Sequence, residues 1–410
     1  MQHIPYDDEL EIINSIHKYN TNTYVPIRLT QTMIDKSIID ANGFFKKFLL
    51  DFDLLDYNQL TEKIFLEANL ILEDQVVAVK VSFYKANARG DSRFWIYGLN
   101  NFIRSSKIQV NDLLYFSVDN KKEKKLTICN VSRSIPSDNV IVKFFGQDKL
   151  EEKINKLIPK IKAISKNGFH SNSKGKGEIC PKDAGNTLEF LLGINPNNSK
   201  EPDYEQTIEL KTKTDKSKSS DTLFTLRPNF QGTPVAEYEP DDNKRVSAFT
   251  RLYGYDSEKH VGYKNLYITI GPEESPQNNQ GLFLEVNDEE SIVELRKVEN
   301  SSSILVAFWD FKLLENKLKE KHPATLWVEA ISKMDGEMGK FKYVKAELTR
   351  SPQFMTFLSL IKSGTITYDW RGYTTPEGNY TGKNHGNAFR IKNKQRELLF
   401  GSLEIISLDD

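Results

Sequence analysis

The chain has 410 residues, enough for two domains with separate cores, and its 56 Lys+Arg against 57 Asp+Glu leave a formal net charge of −1. That balance excludes a whole-protein field as the means of attracting an anionic partner, so only a local basic patch could do so. Cys129 and Cys180 match no C-x-x-C spacing, which argues against structural zinc and a disulfide framework; with an acidic, broken amino terminus and no apolar run of transmembrane length, the expectation is a soluble cytoplasmic protein.

In chain order, a helical segment is expected at SIIDANGFFKKFLLDF, residues 37–52. From Ile64 to Phe145 the runs IFLEANLILED, VVAVKVSFYK, RFWIYGL, LLYFSVD, KLTICNVSR and VIVKFF are rich in β-branched and aromatic residues. Turn clusters ARGDS, DNKKEKK and IPSDN separate them, so the spacing predicts a small barrel or sandwich. The period then changes. DKLEEKINKLIPKIKAISK places Leu150, Ile154, Leu157, Ile158 and Ile161 at helical spacing despite Pro159, and the domain boundary is set here, giving 1–147 and 148–410. NGFHSNSKGKGE reads as a flexible basic loop, followed by a helix at TLEFLLG and strands at TIELKTK, DTLFTLR, NLYITIG and GLFLEV. Strand ILVAFW, helix FKLLENKLKEK, strands TLWVEAI and KYVKAEL, helix QFMTFLSLIKSG and strand TITYDWR complete an α/β or α+β layer pattern.

Chemistry concentrates in PDYEQTIELKTK, residues 202–213. Alternation in a strand puts Thr207, Glu209, Lys211 and Lys213 on one side and Ile208 and Leu210 on the other, with Glu209 and Lys211 roughly 7 Å apart by strand rise. Asp203, in the turn entering the strand, could fold beside Glu209. Two carboxylates and a phosphate oxygen suit Mg²⁺, which neutralises charge and lowers the pKa of water, while a neighbouring lysine orients the water and stabilises developing charge. The same E-x-K also describes a solvated strand face with a cross-strand charge pair, and these residues alone leave both readings open. Upstream, in DAGNTLEFLLGI, Glu189 has Gly185 and Gly193 one turn away on either side, leaving room for a large ligand. Alternatively, Asn186 caps the helix and Glu189 completes a capping box.

Taken together, GNTLEFLLG, PD, IELKTK and TLFTLRP resemble the catalytic core of the MvaI/BcnI family of type II restriction endonucleases, a branch of the PD-(D/E)XK nucleases. YDWRGY and KNHGNAFRI resemble its late DNA-reading segment, and the likeness spans roughly residues 148–405. It implies a nuclease triad of Asp203, Glu209 and Lys211 holding Mg²⁺ through the two acids, with Glu189 as an accessory acid. It also implies that Asp369, Arg371, His385 and Arg390 read base edges, which suits the affinity of Arg for guanine and Asp for cytosine. For Arg371 and Arg390 an ordinary surface ion pair stays open, and for His385 a turn histidine. The chain departs from the family pattern in an Asp203-to-Glu209 interval one residue longer, and in Lys383, which stands in place of a second histidine.

FYKANARGDSRFWIYGL and the strands after it are similar to the amino-terminal effector domain of EcoRII, a DNA-binding pseudobarrel of the plant B-three type. Lys85, Arg89 and Arg93, near Tyr84, Phe94 and Trp95, would form one DNA-contacting arm and Lys121 to Lys125 a second; a plain hairpin with core aromatics is the alternative. The resemblance in both halves, as in UbaLAI-like two-domain enzymes, implies a monomeric, IIE-like restriction endonuclease acting on double-stranded DNA. The implied target is CCWGG, with CCSGG open, and a second copy of the site would bind the amino-terminal domain as effector. The implied functional partner is a cognate cytosine methyltransferase. A repair-type nicking nuclease and a non-catalytic DNA-binding regulator are the rival readings.

Overall fold

The computed structural model describes residues 5–20, 22–73, 75–86, 90–121, 123–148, 150–194, 201–217, 219–300, 302–350, 352–376, 382–384, 386–392, 395–401 and 403–408, with backbone alone at 7 and 382–384. The chain divides into two compact units, Met1–Ile154 and Asn155–Asp410. No described helix is long and apolar enough to cross a membrane.

In the first unit, helix α1 (Asp7–His17) and strand β1 (Val25–Arg28) precede α2 (Gln31–Lys36), β2 (Ile39–Asp40) and α3 (Gly43–Asp51). Strands β3 (Ile64–Leu72), β4 (Gln75–Lys85) and β5 (Ser92–Ile96) follow, then α4 (Leu99–Arg104), β6 (Leu113–Val118), β7 (Leu126–Asn130) and α5 (Asp138–Phe145). The seven strands form one sheet in the order β1-β6-β7-β3-β4-β5-β2, antiparallel except for β3 with β7. Phe45 of α3 packs on Phe83, Phe94 and Phe116, all fully buried, so one helix face seals one face of the sheet.

Two expectations change here. The helix foreseen from residue 37 starts only at Gly43, because the Asn42 side chain accepts from the Phe45 amide at 2.9 Å and caps it, while Ile39–Asp40 pairs with β5. VIVKFF is helical, not extended: Ile141, Phe144 and Phe145 sit three and four apart and are all buried, a helical stripe within a run too short to betray its period.

The second unit begins in α6 (Glu151–Lys166), with Pro159 inside the helix. Then come β8 (His170–Lys176), α7 (Asp183–Leu191), β9 (Ile208–Thr214), β10 (Asp221–Thr225), α8 (Pro234–Tyr238) and α9 (Arg245–Tyr253). Strands β11 (Tyr255–Asp256), β12 (Lys264–Ile270), β13 (Leu282–Asn287), β14 (Ile292–Glu299) and β15 (Ser302–Asp310) lead to α10 (Phe311–Lys321). The rest is β16 (Ala324–Asp335), β17 (Met338–Arg350), α11 (Phe354–Lys362), β18 (Ile366–Thr374), β19 (Gly382–Asn384), β20 (Ala388–Ile391), α12 (Arg396–Phe400) and β21 (Glu404–Ser407). This is the mixed α/β architecture that the interleaved pattern foresees.

Three sheets result. One runs β21-β17-β16-β9 with β8 on β17; a second runs β10-β20-β18-β12-β11 with β19 on β18; the third is β13-β14-β15. The segment expected as a basic loop is instead edge strand β8, pairing His170 with Phe341 and Ser171 with Lys340. Only Asn172 of it is buried, so it carries none of the apolar alternation that marks a strand in sequence. Strand β14 and helix α9 are additions to the sequence reading.

Candidate active site

Strand β9 lies at the end of its sheet, parallel to β16, with Glu209 opposite Thr325 and Lys211 opposite Trp327. Ile208 and Leu210 are buried, which anchors the strand. The approach to it is a tight turn: the Thr207 amide donates to the Tyr204 carbonyl at 3.0 Å, and Glu205 (φ 46°) and Gln206 (φ 55°) are consecutive left-handed residues, the signature of a type I′ turn. Tyr204 and Ile208 bridge antiparallel across it. This turn folds Asp203 back along β9, where Asp203 Oδ2 accepts from the Leu210 amide at 2.9 Å.

Glu209 is only 2% exposed. Its Oε1 accepts from Lys211 Nζ at 2.6 Å, the same-face pairing that strand alternation dictates. Its Oε2 is buried without a hydrogen bond, and Lys321 Nζ, at the end of α10, lies 3.7 Å away. Glu189 belongs to the same field. Burial raises its pKa most, Asp203 adds to the rise, Lys211 opposes it, and Glu209 raises it further. Sequence reasoning thus places Glu189, Asp203, Glu209 and Lys211 in one region, and the structure brings them within electrostatic reach of one another.

Two details around Glu189 differ from expectation. Helix α7 starts at Asp183, whose carboxylate accepts from Asn172 and from the Cys180 amide at 2.9 Å each, so Asn186 is interior and the capping box with Glu189 does not form. Gly185 faces Thr212 of β9, where an added Cβ would make an ordinary contact at 3.9 Å. Gly193, at φ 74°, ends the helix as foreseen.

The residues missed are Lys321 and His322, in KEKHPATLW. His322 is fully buried; its Nδ1 lies 2.7 Å from Thr325 Oγ1 and its Nε2 2.8 Å from the Leu223 carbonyl, so the ring donates to Leu223 and accepts from the threonine hydroxyl. Burial, and next the charge of Lys211, push its pKa down to about 3, so it is neutral at ordinary pH. No sequence signal announces it, because only the parallel pairing of β16 with β9 brings it to the site. Nearby, Lys213 and Arg396 both pair with Asp221, at 2.8 and 3.3 Å, which ties the end of β9 to the start of β10 and to α12.

Among the described residues no three His, Cys, Asp or Glu side chains converge as a ready-made metal cage. Mutually repelling carboxylates and the orphaned Glu209 Oε2 nonetheless fit a hard divalent cation that takes its remaining ligands from water and a phosphate.

A second polar cluster lies on β18 and β20. Asp369, 6% exposed, accepts from Thr269 Oγ1 through Oδ1 and from Arg371 Nη2 through Oδ2, each at 2.8 Å. Arg390 Nε approaches Oδ2 at 2.8 Å without hydrogen-bond alignment. Arg371 also donates to the carbonyls of Ile268 and Trp370, and its amide donates to Asn387 Oδ1 at 2.8 Å. An open cleft beside Arg371 is walled by Tyr255 and Tyr267 and by the amide side chains of Gln277, Asn279 and Gln280, a PQNNQ loop that the sequence reading passed over. Lys383 lies on β19 with its backbone opposite Tyr373, and His385 lies outside the described residues.

In the first unit, Lys85 and Arg93 stand on either side of the loop that joins β4 to β5; Lys85 donates to the Asn58 carbonyl at 3.4 Å, and Arg93 pairs with Asp40 and Asp91 at 3.4 and 3.5 Å. Arg89 lies outside the described residues. Of the aromatics expected beside the arm, Phe94 and Trp95 are core while Tyr84 is half-buried, and Lys63 is surrounded by the rings of Phe65, Tyr84 and Tyr97 at 5.3–5.5 Å.

Comparison with known proteins bears on the second unit. The model of the MvaI/BcnI restriction endonuclease family matches residues 158–400, more than half of the chain. Among solved structures, restriction endonuclease MvaI with its cognate DNA substrate matches at 24% identity and a TM-score of 0.51, covering 62% of this chain and 98% of that one. MvaI in the absence of DNA matches at 22% identity and a TM-score of 0.39 with the same coverage. No curated protein matches the chain.

Proposed function

Because the chain belongs to the MvaI/BcnI restriction endonuclease family, we propose that it is a Mg²⁺-dependent enzyme that cuts double-stranded DNA at a short specific site, with the cluster on β9 as its active site. The observation that carries this reading is the buried Glu209, whose Oε1 is held by Lys211 while its Oε2 lacks any hydrogen bond. A bare lone pair on a buried carboxylate is costly unless a ligand completes it.

Asp203 and Glu209 would hold the ion, which would supply charge neutralisation at the phosphate and lower the pKa of water. Lys211, kept in place by Glu209, orients the attacking water and stabilises the charge that develops on the phosphate oxygens. Glu189 is the accessory acid beside these two carboxylates; burial first, and then the Asp203 charge, raise its pKa. Water adds to phosphorus and the 3′ oxygen leaves, giving 5′-phosphate and 3′-hydroxyl ends. Asp369, Arg371 and Arg390, with Lys383 and His385, form the base-reading surface, and the resemblance favours CCWGG as target. The chain acts as a monomer in the cytoplasm, where a cognate cytosine methyltransferase protects the host DNA. Its amino-terminal unit is a B-three-type pseudobarrel that binds a second copy of the site through Lys85, Arg89 and Arg93.

Plasmid DNA of known sequence incubated with Mg²⁺, with and without chelator, tests the reading. Discrete fragments that end at one short sequence and disappear with chelator are expected; scattered nicks, or intact plasmid, contradict it. The effector role is tested separately, by adding a short CCWGG duplex to a single-site plasmid: acceleration is expected, and an unchanged rate removes that role.

A further inference from the structure

Glu209 is addressed by two lysines that reach it from different elements. Lys211 comes from its own strand and bonds Oε1 at 2.6 Å. Lys321 comes from the carboxyl end of α10 and sits on the other side, its Nζ 3.7 Å from Oε2. That separation permits ion pairing but not a hydrogen bond, which agrees with Oε2 having none. The placement of Lys321 is fixed from behind. Leu318 and His322 on either side of it are fully buried, and the His322 ring is held between Thr325 and the Leu223 carbonyl, so the α10 terminus has little freedom to move. The Lys321 side chain is only 20% exposed, so its charge is weakly screened where it faces Glu209.

We propose that Lys321 is the resident counter-cation of the metal-binding carboxylate. It neutralises Glu209 while no divalent ion is present, leaves the Oε2 lone pairs free for an incoming ion, and opposes that ion by like-charge repulsion, so it sets how tightly the metal is held. The sequence offers no hint of this role, since Lys321 belongs to a lysine-rich helix end that reads as an ordinary solvated terminus with cations on its dipole. The inference rests on the reading of Glu209 as a metal ligand.

Binding of Mn²⁺ to the full-length protein without DNA, followed by electron paramagnetic resonance, tests it with a readout independent of cleavage. Lys321→Met keeps the aliphatic stem and removes the charge; it is expected to bind Mn²⁺ about 10-fold more tightly than the parent, equivalent to about 1.4 kcal/mol. Lys321→Arg should stay within about 2-fold of the parent, because it restores the cation. Circular dichroism checks that both variants are folded. Unchanged or weaker binding by Lys321→Met overturns the counter-cation role while leaving Glu209 as ligand. Glu209→Gln should lose the ion; if it binds Mn²⁺ as the parent does, or if the parent binds none, the metal reading falls and this inference falls with it.

Discussion

Glu209 and Asp369 are both carboxylates buried beside two cations on strands of the second unit, and they differ in what is left over. Asp369 has each oxygen in a hydrogen bond, one from Thr269 and one from Arg371, with Arg390 alongside. Glu209 has one oxygen bonded by Lys211 and the other bare, with two further acids, Glu189 and Asp203, in the same field. A satisfied acid beside arginines holds a guanidinium in place, as Asp369 does for Arg371. An unsatisfied acid among acids is, on the proposed reading, a place for a divalent cation. The hydrogen-bond balance therefore separates two buried carboxylates that composition does not.

Substitutions can break this contrast, starting with the largest effect. Lys211→Ala should lower the rate of plasmid cleavage by about 10²- to 10³-fold, as for loss of one preorganised charge-stabilising donor, while duplex binding in a gel-shift assay is retained. Loss of binding together with cleavage would move Lys211 from chemistry to recognition. Arg390→Ala should weaken binding of the specific duplex by about 10- to 100-fold, the price of one base-edge contact, and reduce the ratio of specific to scrambled binding. An equal loss on both duplexes would make Arg390 a phosphate contact.

The two pH predictions are smaller and run in opposite senses. His322 has its pKa pushed down to about 3 by burial and by Lys211. Its depressed value means that the stability it contributes is present above the ordinary histidine value of about 6.5 and is lost as pH falls from there toward 3. Thermal unfolding of Glu189 and His322 variants across pH reads this directly: His322→Gln should flatten the acid side of the stability curve relative to the parent. For Glu189 the pKa is raised, by burial first and then by Asp203. The folded state then gains below the ordinary carboxylate value and loses that gain as pH rises through the raised one. Glu189→Gln should thus be the more stable protein at neutral and higher pH, and the difference should vanish in acid.

Much of the second unit was legible because its strands and helices keep clean periods. Ile208 and Leu210 alternate with Glu209 and Lys211, so the shared face of the two charged residues is readable, while their direct ion pair at 2.6 Å is not. What escaped was whatever depends on one element meeting another. β8 has no apolar alternation because it is an edge; α5 hides a helical stripe in six apolar-rich residues; Lys321 and His322 become part of the site only through the pairing of β16 with β9. The capping-box alternative for Glu189 failed because the buried Asp183 starts the helix a turn earlier than the polarity of GNTLEF suggests.

The contrast between the two carboxylates is tested most directly by thermal unfolding of the parent, Glu209→Gln and Asp369→Asn with and without Mg²⁺. Completion of an unfilled shell predicts that Mg²⁺ raises the melting temperature of the parent and of Asp369→Asn but not of Glu209→Gln. A parent that gains nothing from Mg²⁺, or a Glu209→Gln variant that gains as much as the parent, would contradict the account.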